Sequence, residues 1–313
     1  MRPTLKAGLV TVWRDPDTVQ IGIDPRRAVA IAGMAGAGHL IELLDGSRTR
    51  EQVISAAAAH GIPAHVADRV LGLLAEHHVL DQPAGVSLAG LPRPLPPALA
   101  AELATVSLAL GKEDGGAGVL ARRRAARVLV CGEPRIGRAI RRILVTAGVG
   151  RVTRSASPDG DLPRDGLPAD RPDLVIVVGR VAPEVAWRLV TRGVTHLAVS
   201  AAEAIGVVGP LVIPGRTACL RCLDYARARA DPAWPLILAQ LGRRQPEPGA
   251  CDAALAAAVA AQAAGQALTA MDRAPADAAT VGGTLELVLP GWQWRRRSWP
   301  RHPSCPCASH QIG

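Results

Sequence analysis

The sequence predicts an α/β protein with a doubly wound, mostly parallel sheet, preceded by a small winged-helix-like α+β domain. Three observations predict this fold class. Residues 126–200 repeat an apolar strand, a turn and a helix, which is the pattern of βαβ units. Residues 8–80 contain three short alternating strands followed by three helical patterns. Two cysteine pairs, one in the middle of the chain and one near its end, suggest a link that closes the second domain.

The composition bounds the architecture and the class of partner. At 313 residues, 49% of them hydrophobic, the chain is long enough for two domains. Aromatic residues make up only 2% and Phe is absent, so Ala, Leu, Val and Ile must fill the interior. The net charge of +9 and the isoelectric point near 10.2 favour an acidic partner, whether nucleic acid, anionic membrane or acidic peptide. Charge alone does not choose among these.

The first module covers residues 1–82. Alternating apolar residues predict three strands separated by Asp-Pro turns. Helical periodicity then predicts three helices, the second capped by Ser47 or Thr49 and stopped by Gly61. The strands are 9–13, 19–23 and 28–31, and the helices are 38–44, 49–60 and 63–78. This order of elements is winged-helix-like.

A Pro- and Gly-rich linker with a weak helix is expected at residues 83–119, before the second domain at 120–313. Ala126–Cys131 opens that domain as an apolar strand. Asp173–Val178 is apolar enough for the middle of a parallel sheet. The second domain is therefore predicted to be Rossmann-like.

The sequence also indicates a compartment. Arg14, Asp15 and Asp17 interrupt the first apolar segment, so nothing there resembles a signal peptide. Residues 253–271 approach the length of a membrane span, but they are mostly Ala and contain two glutamines. We expect a packing helix there, and a cytoplasmic protein with reduced cysteines and no membrane contact.

Four cysteines form the most specific motif. Cys219 and Cys222 are a Cys-x-x-Cys pair after a short apolar strand and a Pro-Gly turn, and Cys305 and Cys307 are a Cys-x-Cys pair. Four thiolates from two distant segments are the ligand set of a closed, structural zinc site. A redox dithiol, a disulfide or two unrelated pairs are the alternatives. If zinc binds, it ties the end of the domain to its middle.

Taken together, these features resemble a known family. The dinucleotide-like βαβ unit, the Cys-x-x-Cys after Val-Ile-Pro-Gly, the Ala-rich helix and the second cysteine pair are similar to ThiF-type adenylyltransferases, relatives of ubiquitin-activating enzymes. This resemblance covers roughly residues 120–313. Residues 8–80 resemble the PqqD-like peptide-recognition element. The whole chain resembles the ThiF-like leader-peptide-binding proteins that serve YcaO-type cyclodehydratases, which make thiazole and oxazole rings.

The resemblance implies an ATP site at a glycine-rich turn after the first strand. Here that turn reads Gly132-Glu-Pro-Arg-Ile-Gly137. Glu133 would repel phosphate, and bulky residues stand where small ones let phosphate approach the backbone. Gly132 and Gly137 are therefore predicted to be vestiges of a nucleotide turn.

At three further positions this sequence lacks the residues with which the ThiF-type pattern binds ATP. Arg154 stands where the family has an acidic residue for the ribose. Residues 155–172 contain no Asn-x-x-Arg-Gln segment, and Gly179-Arg180 replaces the magnesium-binding aspartate. The sequence therefore predicts that ATP does not bind.

Cys251 stands just before the Ala-rich helix, where ThiF itself carries a reactive cysteine. A turn at Pro248-Gly249 precedes it, and the N-terminus of the helix could lower the pKa of its thiol. The alternative is a buried or spare thiol, and no other catalytic residue is expected.

Two features raise the question of nucleic acid. Trp292–Trp299 mixes basic and aromatic residues as nucleic-acid surfaces do, but it also alternates like a strand leading to the second cysteine pair, which we favour. The winged-helix-like module could read DNA, yet its second and third helices carry as many acidic as basic residues. Nucleic acid is therefore not the expected partner.

The leading hypothesis is a non-catalytic scaffold that binds the leader segment of a precursor peptide and presents it to a modifying enzyme. The leader would add a strand to the edge of strand 28–31, with helix 63–78 as the other wall. The basic charge suits an acidic leader, and the resemblance implies a homodimer. The alternatives are an active ATP-dependent adenylyltransferase acting on a C-terminal carboxylate and a DNA-binding regulator. The candidate peptide-binding residues are Val29, Ile31, Val66, Arg69, Val70 and Leu73.

Overall fold

The chain forms two compact units, Met1–Ala121 and Arg122–Gly313. The computed structural model describes residues 2–36, 38–82, 95–155, 171–241 and 250–308. Each unit has its own sheet and its own buried apolar core.

Over the described residues, the first unit contains two small antiparallel sheets, of two and three strands, and a set of helices. In chain order its elements are β1 (Thr4–Leu5), β2 (Thr11–Asp15), β3 (Thr18–Ile21), β4 (Val29–Ile31), α1 (Gly38–Glu42), α2 (Arg50–Ala59), α3 (Ala64–Glu76), β5 (Leu80–Asp81) and α4 (Pro97–Leu110), and helix α5 (Ala117–Ala125) begins in this unit and ends in the second. Strand β3 lies between β2 and β4, and β1 pairs with β5. Val19 and Ile21 of β3 are fully buried against helical side chains such as Leu40 and Leu71.

Helix α2 begins at a capping box. The Thr49 hydroxyl accepts a hydrogen bond from the Gln52 backbone N–H at 3.3 Å, and the Gln52 side-chain oxygen accepts one from the Thr49 N–H at 2.8 Å. Both otherwise unpaired donors are thereby satisfied. Of the two residues considered for this cap, the structure therefore selects Thr49.

Helix α4 is integrated into the first unit by a buried polar cluster. The Lys6 ammonium is fully buried and donates to Asp81 at 2.9 Å and to the Ser107 hydroxyl at 2.5 Å. It also donates to the carbonyl of Lys112. Within the predicted linker, residues 83–94 lie outside the described part of the chain. A buried ammonium is costly unless it is hydrogen-bonded, so these contacts fix the helix that contains Ser107 against Lys6 and Asp81.

The second unit alternates strands and helices. In chain order its elements are β6 (Arg127–Gly132), α6 (Pro134–Thr146), β7 (Arg151–Ser155), β8 (Leu174–Val178), α7 (Pro183–Thr191), β9 (His196–Ala202), β10 (Ile205–Val212), α8 (Leu220–Ala230), α9 (Trp234–Leu241), α10 (Ala253–Asp272), β11 (Gly283–Val288) and β12 (Trp294–Ser298). Over the described residues, its sheet has seven strands in the order β12-β11-β10-β9-β8-β6-β7.

The sheet has a parallel part and an antiparallel part. Strands β7, β6, β8 and β9 are parallel neighbours, and β10, β11 and β12 continue the sheet with antiparallel pairing. Strand β6 lies between β7 and β8, which is the arrangement of a doubly wound fold. All five residues of β8 are buried, as expected of a central parallel strand.

Helices cover both faces of the parallel part. Ile140 and Leu144 of α6 pack with α10 on one face, and Val185 and Leu189 of α7 pack on the other. Helix α10 is long and apolar enough to cross a membrane, but Val259 and its neighbours are fully buried against the sheet. It is therefore a core helix of this unit, as expected from its composition.

Candidate functional site

The four cysteines predicted to bind metal lie together in the second unit. The turn after β10 is closed by the Thr217 hydroxyl, which accepts from the Ile213 N–H at 2.9 Å. This turn leads to Cys219, which precedes α8, and Cys222 lies in the first turn of the helix. Residues three apart share a helix face. The segment after β12 brings a second pair of thiols to the same place, and the four sulfur atoms all lie within 4.8 Å of one another.

The spacing of the sulfurs fits a tetrahedral metal. The Sγ–Sγ distances are 3.9 Å for Cys219–Cys222, 3.7 Å for Cys219–Cys305 and 3.4 Å for Cys222–Cys307. A tetrahedral zinc with Zn–S bonds of about 2.3 Å separates its sulfurs by roughly 3.8 Å. A disulfide would need about 2.05 Å. The cluster of four buried, free thiols could therefore hold a metal ion.

The residues around the four cysteines hold the sulfur atoms in place. The His302 backbone N–H donates to the Cys222 sulfur at 3.4 Å, and the His302 ring stacks on Tyr225 with 4.7 Å between ring centroids. Trp299 is buried in the same apolar cluster. Such outer contacts orient the ligands and exclude water.

The protonation of the thiols shows why a cation would be stabilising here. Hydrogen bonds from the Cys219 thiol and from the His302 N–H lower the pKa of the Cys222 thiol to about 4. The hydrogen bond to Cys222 and burial raise the pKa of Cys219, and burial raises the pKa of Cys305 to about 12. Without added positive charge Cys219 and Cys305 therefore keep their protons beside the Cys222 thiolate, since adjacent thiolates repel one another.

The predicted nucleotide turn is occupied by the protein's own carboxylate. Glu133 caps α6: its two carboxylate oxygens accept from the N–H groups of Arg135 at 2.6 Å and Ile136 at 2.7 Å. In a nucleotide-binding turn, such N–H groups at a helix N-terminus bind phosphate. Here the carboxylate satisfies them internally.

Of the two glycines of the turn, only Gly132 is required by packing. Gly132 has φ +95°, and a Cβ there would lie 2.0 Å from the carbonyl oxygen of Val178 on the adjacent strand. A Cβ on Gly137 would lie 3.5 Å from the Val130 side chain, which is ordinary contact. Gly132 is therefore required by the close approach of β6 and β8, whether or not a nucleotide binds.

The remaining positions of the predicted ATP site carry cations. Arg154 is exposed near the end of β7, and Arg180 follows β8. Most of the segment expected to lack Asn-x-x-Arg-Gln, residues 156–170, lies outside the described residues.

Cys251 is half-buried at the start of α10. Burial raises the pKa of its thiol, and the nearby Asp252 and Glu133 carboxylates add to this, against the opposite pull of Arg135. Asp252 caps the helix by accepting from the Leu255 N–H at 2.7 Å. Burial of the thiol and the Asp252 carboxylate at this helix N-terminus therefore act against the lowering of the Cys251 pKa that the sequence suggested.

The predicted peptide edge lies in the first unit. Among the described strands, β4 pairs with β3 on one side only. Ile31 and Val70 are 6% and 5% exposed and belong to the core, so they offer a peptide little surface. Val29 and Val66 are half-buried and pack against that core. Leu73 is half-buried without joining the core, and Arg69 is exposed, so these two residues of α3 are the most accessible of the six candidates.

The basic, aromatic segment at 292–299 forms β12, which pairs with β11 and leads to the cysteine cluster. Arg296 donates to the carbonyls of Ala279 at 2.8 Å and Val281 at 2.9 Å, so it has a structural role. Trp299 meets Arg227 of α8 and Arg297, and Arg227 also meets Trp234 of α9; no local pattern in the sequence links these segments.

No protein-family model matches the sequence, and no curated protein matches it either. Solved structures share its fold. A heterocyclase in complex with substrate and cofactor aligns with 98% of the chain at 17% identity and a TM-score of 0.69. The heterocyclase TruD aligns with 98% of the chain at 19% identity and a TM-score of 0.68. Escherichia coli MccB with AMPCPP and MccA aligns with 99% of the chain at 13% identity and a TM-score of 0.67.

The coverage of these neighbours differs. The chain spans about two-fifths of the two heterocyclases, 39% and 42% of their length, and 100% of MccB. At these identities the likeness establishes a shared fold across both units.

Proposed function

We propose that the chain is a non-catalytic ThiF-like scaffold that binds the leader segment of a precursor peptide and presents the peptide to a modifying enzyme such as a YcaO-type cyclodehydratase. The observation that carries the non-catalytic part is the Glu133 carboxylate, which accepts from both N–H groups at the start of α6. A triphosphate would have to displace this carboxylate and overcome its charge. The raised pKa of the Cys251 thiol also leaves it poorly suited to attack an adenylate.

The fold supports the peptide-binding part. Neighbours with the same fold were solved with a substrate or with MccA. In this chain β4 is an edge strand among the described residues, and edge strands accept an added strand through main-chain hydrogen bonds. Helix α3 would contribute side-chain contacts through Arg69 and Leu73.

The charge distribution changes what the leader is expected to be. The first unit carries 10 Lys and Arg against 12 Asp and Glu, a net charge of −2, whereas the second carries 26 against 15, a net charge of +11. The basic character of the chain therefore lies in the second unit, and the first unit offers an acidic leader no net positive charge. Recognition there would depend on strand pairing and apolar contacts.

The proposal gives zinc a structural role. A metal on the four thiols would join the start of α8 to the segment after β12, closing the second unit. All four ligands come from the protein, so no position remains open for catalysis.

The test is a calorimetric titration of the full, zinc-loaded chain with a synthetic leader peptide from a precursor gene adjacent to its own gene. We expect saturable binding that Leu73→Glu weakens at least tenfold. Val12→Glu, a matched change at an exposed apolar residue of β2, should leave the affinity unchanged. Absence of heat with every neighbouring short peptide would count against the proposal.

A second candidate function, ATP-dependent adenylyl transfer, is favoured by the fold it shares with MccB, which was solved with ATP. A rise in melting temperature on addition of ATP and magnesium would support this candidate. The same rise would overturn the non-catalytic proposal.

A further inference from the structure

Helix α6 is amphipathic, and its outer face is basic. Ile136, Ile140 and Leu144 are buried in the core of the second unit. The helix carries four arginines and neither Asp nor Glu, and Arg138 and Arg142 are exposed. A solvated helix face ordinarily mixes both signs of charge. A face of one sign attracts ligands of the opposite sign.

Helix geometry places three of these arginines and one apolar residue on the same face. Arg141 and Arg142 follow Arg138 by three and four residues, and Val145 follows this pair by four and three. Residues at these spacings are neighbours on a helix surface. Val145 is 57% exposed, so an apolar group lies among the charged side chains. We call Arg138, Arg141, Arg142 and Val145 the arginine face.

The protein itself leaves these charges without a counter-charge. Over the described residues, no carboxylate forms an ion pair with an arginine of this face. The Arg138 Nε donates to the Pro134 carbonyl of the same helix at 3.2 Å. Arg141 is half-buried, and its buried Nε has no acceptor among the described residues. Desolvating a guanidinium without a counter-charge costs free energy, and a bound carboxylate lowers that cost.

Other contacts fix both ends of α6. At its start, Arg135 donates to the Cys251 carbonyl at 2.9 Å. At its end, Arg123 donates to the Ala147 carbonyl at 2.9 Å while it pairs with the Asp272 carboxylate at 2.6 Å. The arginine face therefore lies on a rigid support, which reduces the entropy cost of binding.

The face fits an acidic protein segment better than other polyanions. The apolar side of α6 is committed to the core, so the helix cannot insert that side into a bilayer. Helix α6 has no aromatic residue for stacking on bases, and a phosphate backbone, which is bound by charge and hydrogen bonds, leaves Val145 uncovered. Two copies of the face repel each other.

We infer that the arginine face of α6 is a docking surface for an acidic, helical segment of a partner protein. Carboxylates of the segment meet Arg138 and Arg142, and one apolar side chain covers Val145. Carboxylates three or four residues apart on a partner helix have the same spacing as these arginines. The net charge of +11 on the second unit steers such a segment toward it. The surface lies on the second unit, so the inference does not depend on the leader edge of the first.

The test uses the full, zinc-loaded chain and a stapled helical peptide of about 14 residues, followed by fluorescence anisotropy. The peptide is built on Ala, with its Glu residues and one Leu on one helix face. We expect it to bind, with an affinity that falls as salt rises. An isomeric peptide with the same residues scattered around the helix should bind at least tenfold more weakly, because it matches the net charge but not the spacing.

Variants with matched controls locate the binding. Arg142→Glu and Val145→Asp should each weaken the peptide at least fivefold, and Arg138→Glu combined with Arg142→Glu should weaken it more than either single variant. The controls are Arg229→Glu on α8 and Val288→Asp at the end of β11, which change another exposed arginine and another exposed valine. The controls should change the dissociation constant less than twofold, and every variant should keep the wild-type melting temperature within a few degrees.

Equal weakening by the controls, or equal binding of the isomeric peptide, would overturn the inference. Tighter binding of a short DNA duplex than of the peptide, lost in Arg142→Glu, would indicate nucleic acid instead. Binding to phosphatidylserine vesicles that Arg142→Glu abolishes, without peptide binding, would indicate a membrane surface. The leader peptide should bind Arg142→Glu as tightly as the wild type, so failure of this inference leaves the proposed function standing.

Discussion

The four-cysteine cluster and the Gly132–Gly137 turn lie in the same unit, and both carry the resemblance to the ThiF-type pattern in the sequence, but only the cluster has the geometry that its pattern predicts. The cluster keeps all four sulfurs at spacings suited to a tetrahedral ion. The turn keeps its glycines, yet Glu133 fills the place where phosphate would bind. A residue that matches a functional pattern is therefore evidence for that function only where packing does not already require it. Gly132 is explained by its contact with Val178.

The largest expected effect comes from removing one metal ligand. Cys219→Ser should unfold or aggregate the second unit, because structural zinc contributes on the order of 10 kcal/mol, comparable to the whole stability of a domain. Thermal unfolding together with bound-zinc analysis checks this, and a chelator added to the wild type should act in the same direction. Cys251→Ser, which removes a thiol outside the cluster, is the control and should retain zinc and melting temperature. A well-folded, metal-free Cys219→Ser protein would refute both the zinc assignment and its structural role.

Acid should destabilise the second unit by an additional route that involves no metal. His196 is fully buried, and burial lowers the pKa of its imidazole from 6.5 to about 4. The unfolded chain therefore takes up this proton first, so stability is complete above pH 6.5 and falls as the pH drops toward 4. The loss at pH 5 should be about 2 kcal/mol.

Urea unfolding at pH 7 and pH 5 separates this route from protonation of the cysteine ligands. His196→Leu removes the titrating group but leaves the cluster, so it should lose less stability between the two pH values than the wild type. An equal loss in both proteins would assign all of the acid sensitivity to the thiols.

The smallest expected effect concerns the turn. Glu133→Ala should destabilise the protein by about 0.5–2 kcal/mol, because two N–H groups at the start of α6 lose their acceptor. Glu133→Gln keeps one of the two acceptor oxygens and should recover part of this loss. Chemical unfolding measures both, and an unchanged stability in Glu133→Ala would mean that the cap is not formed in solution.

Features set by local sequence or by distinctive residue types could be predicted from the sequence. The buried β8, the Thr49 cap and the composition of α10 each follow from a short window of residues. The four cysteines are distant in sequence, but their metal chemistry identifies the set. The sequence indicates that Glu133 would repel phosphate. Its hydrogen bonds to the start of α6 depend on the folded geometry of the turn and cannot be read from the sequence.

Features created by long-range packing could not be predicted. Lys6 meets Ser107 across 101 residues, and no pattern in either segment indicates the pairing. The contact between Arg227 and Trp299 likewise joins segments that are about 70 residues apart in sequence. Burial of Ile31 and Val70 depends on which edge of an amphipathic element faces the core, and periodicity leaves that edge undefined by about one residue.

Whether the chain is a non-catalytic scaffold is tested most directly by ATP–pyrophosphate exchange. The zinc-loaded full chain is assayed with magnesium, ATP and the complete precursor peptide. With the α6 N-terminus closed by Glu133, exchange should not exceed that of a protein-free blank, while the same sample binds the leader peptide. Peptide-dependent exchange above the blank would contradict the account and establish the chain as an adenylyltransferase.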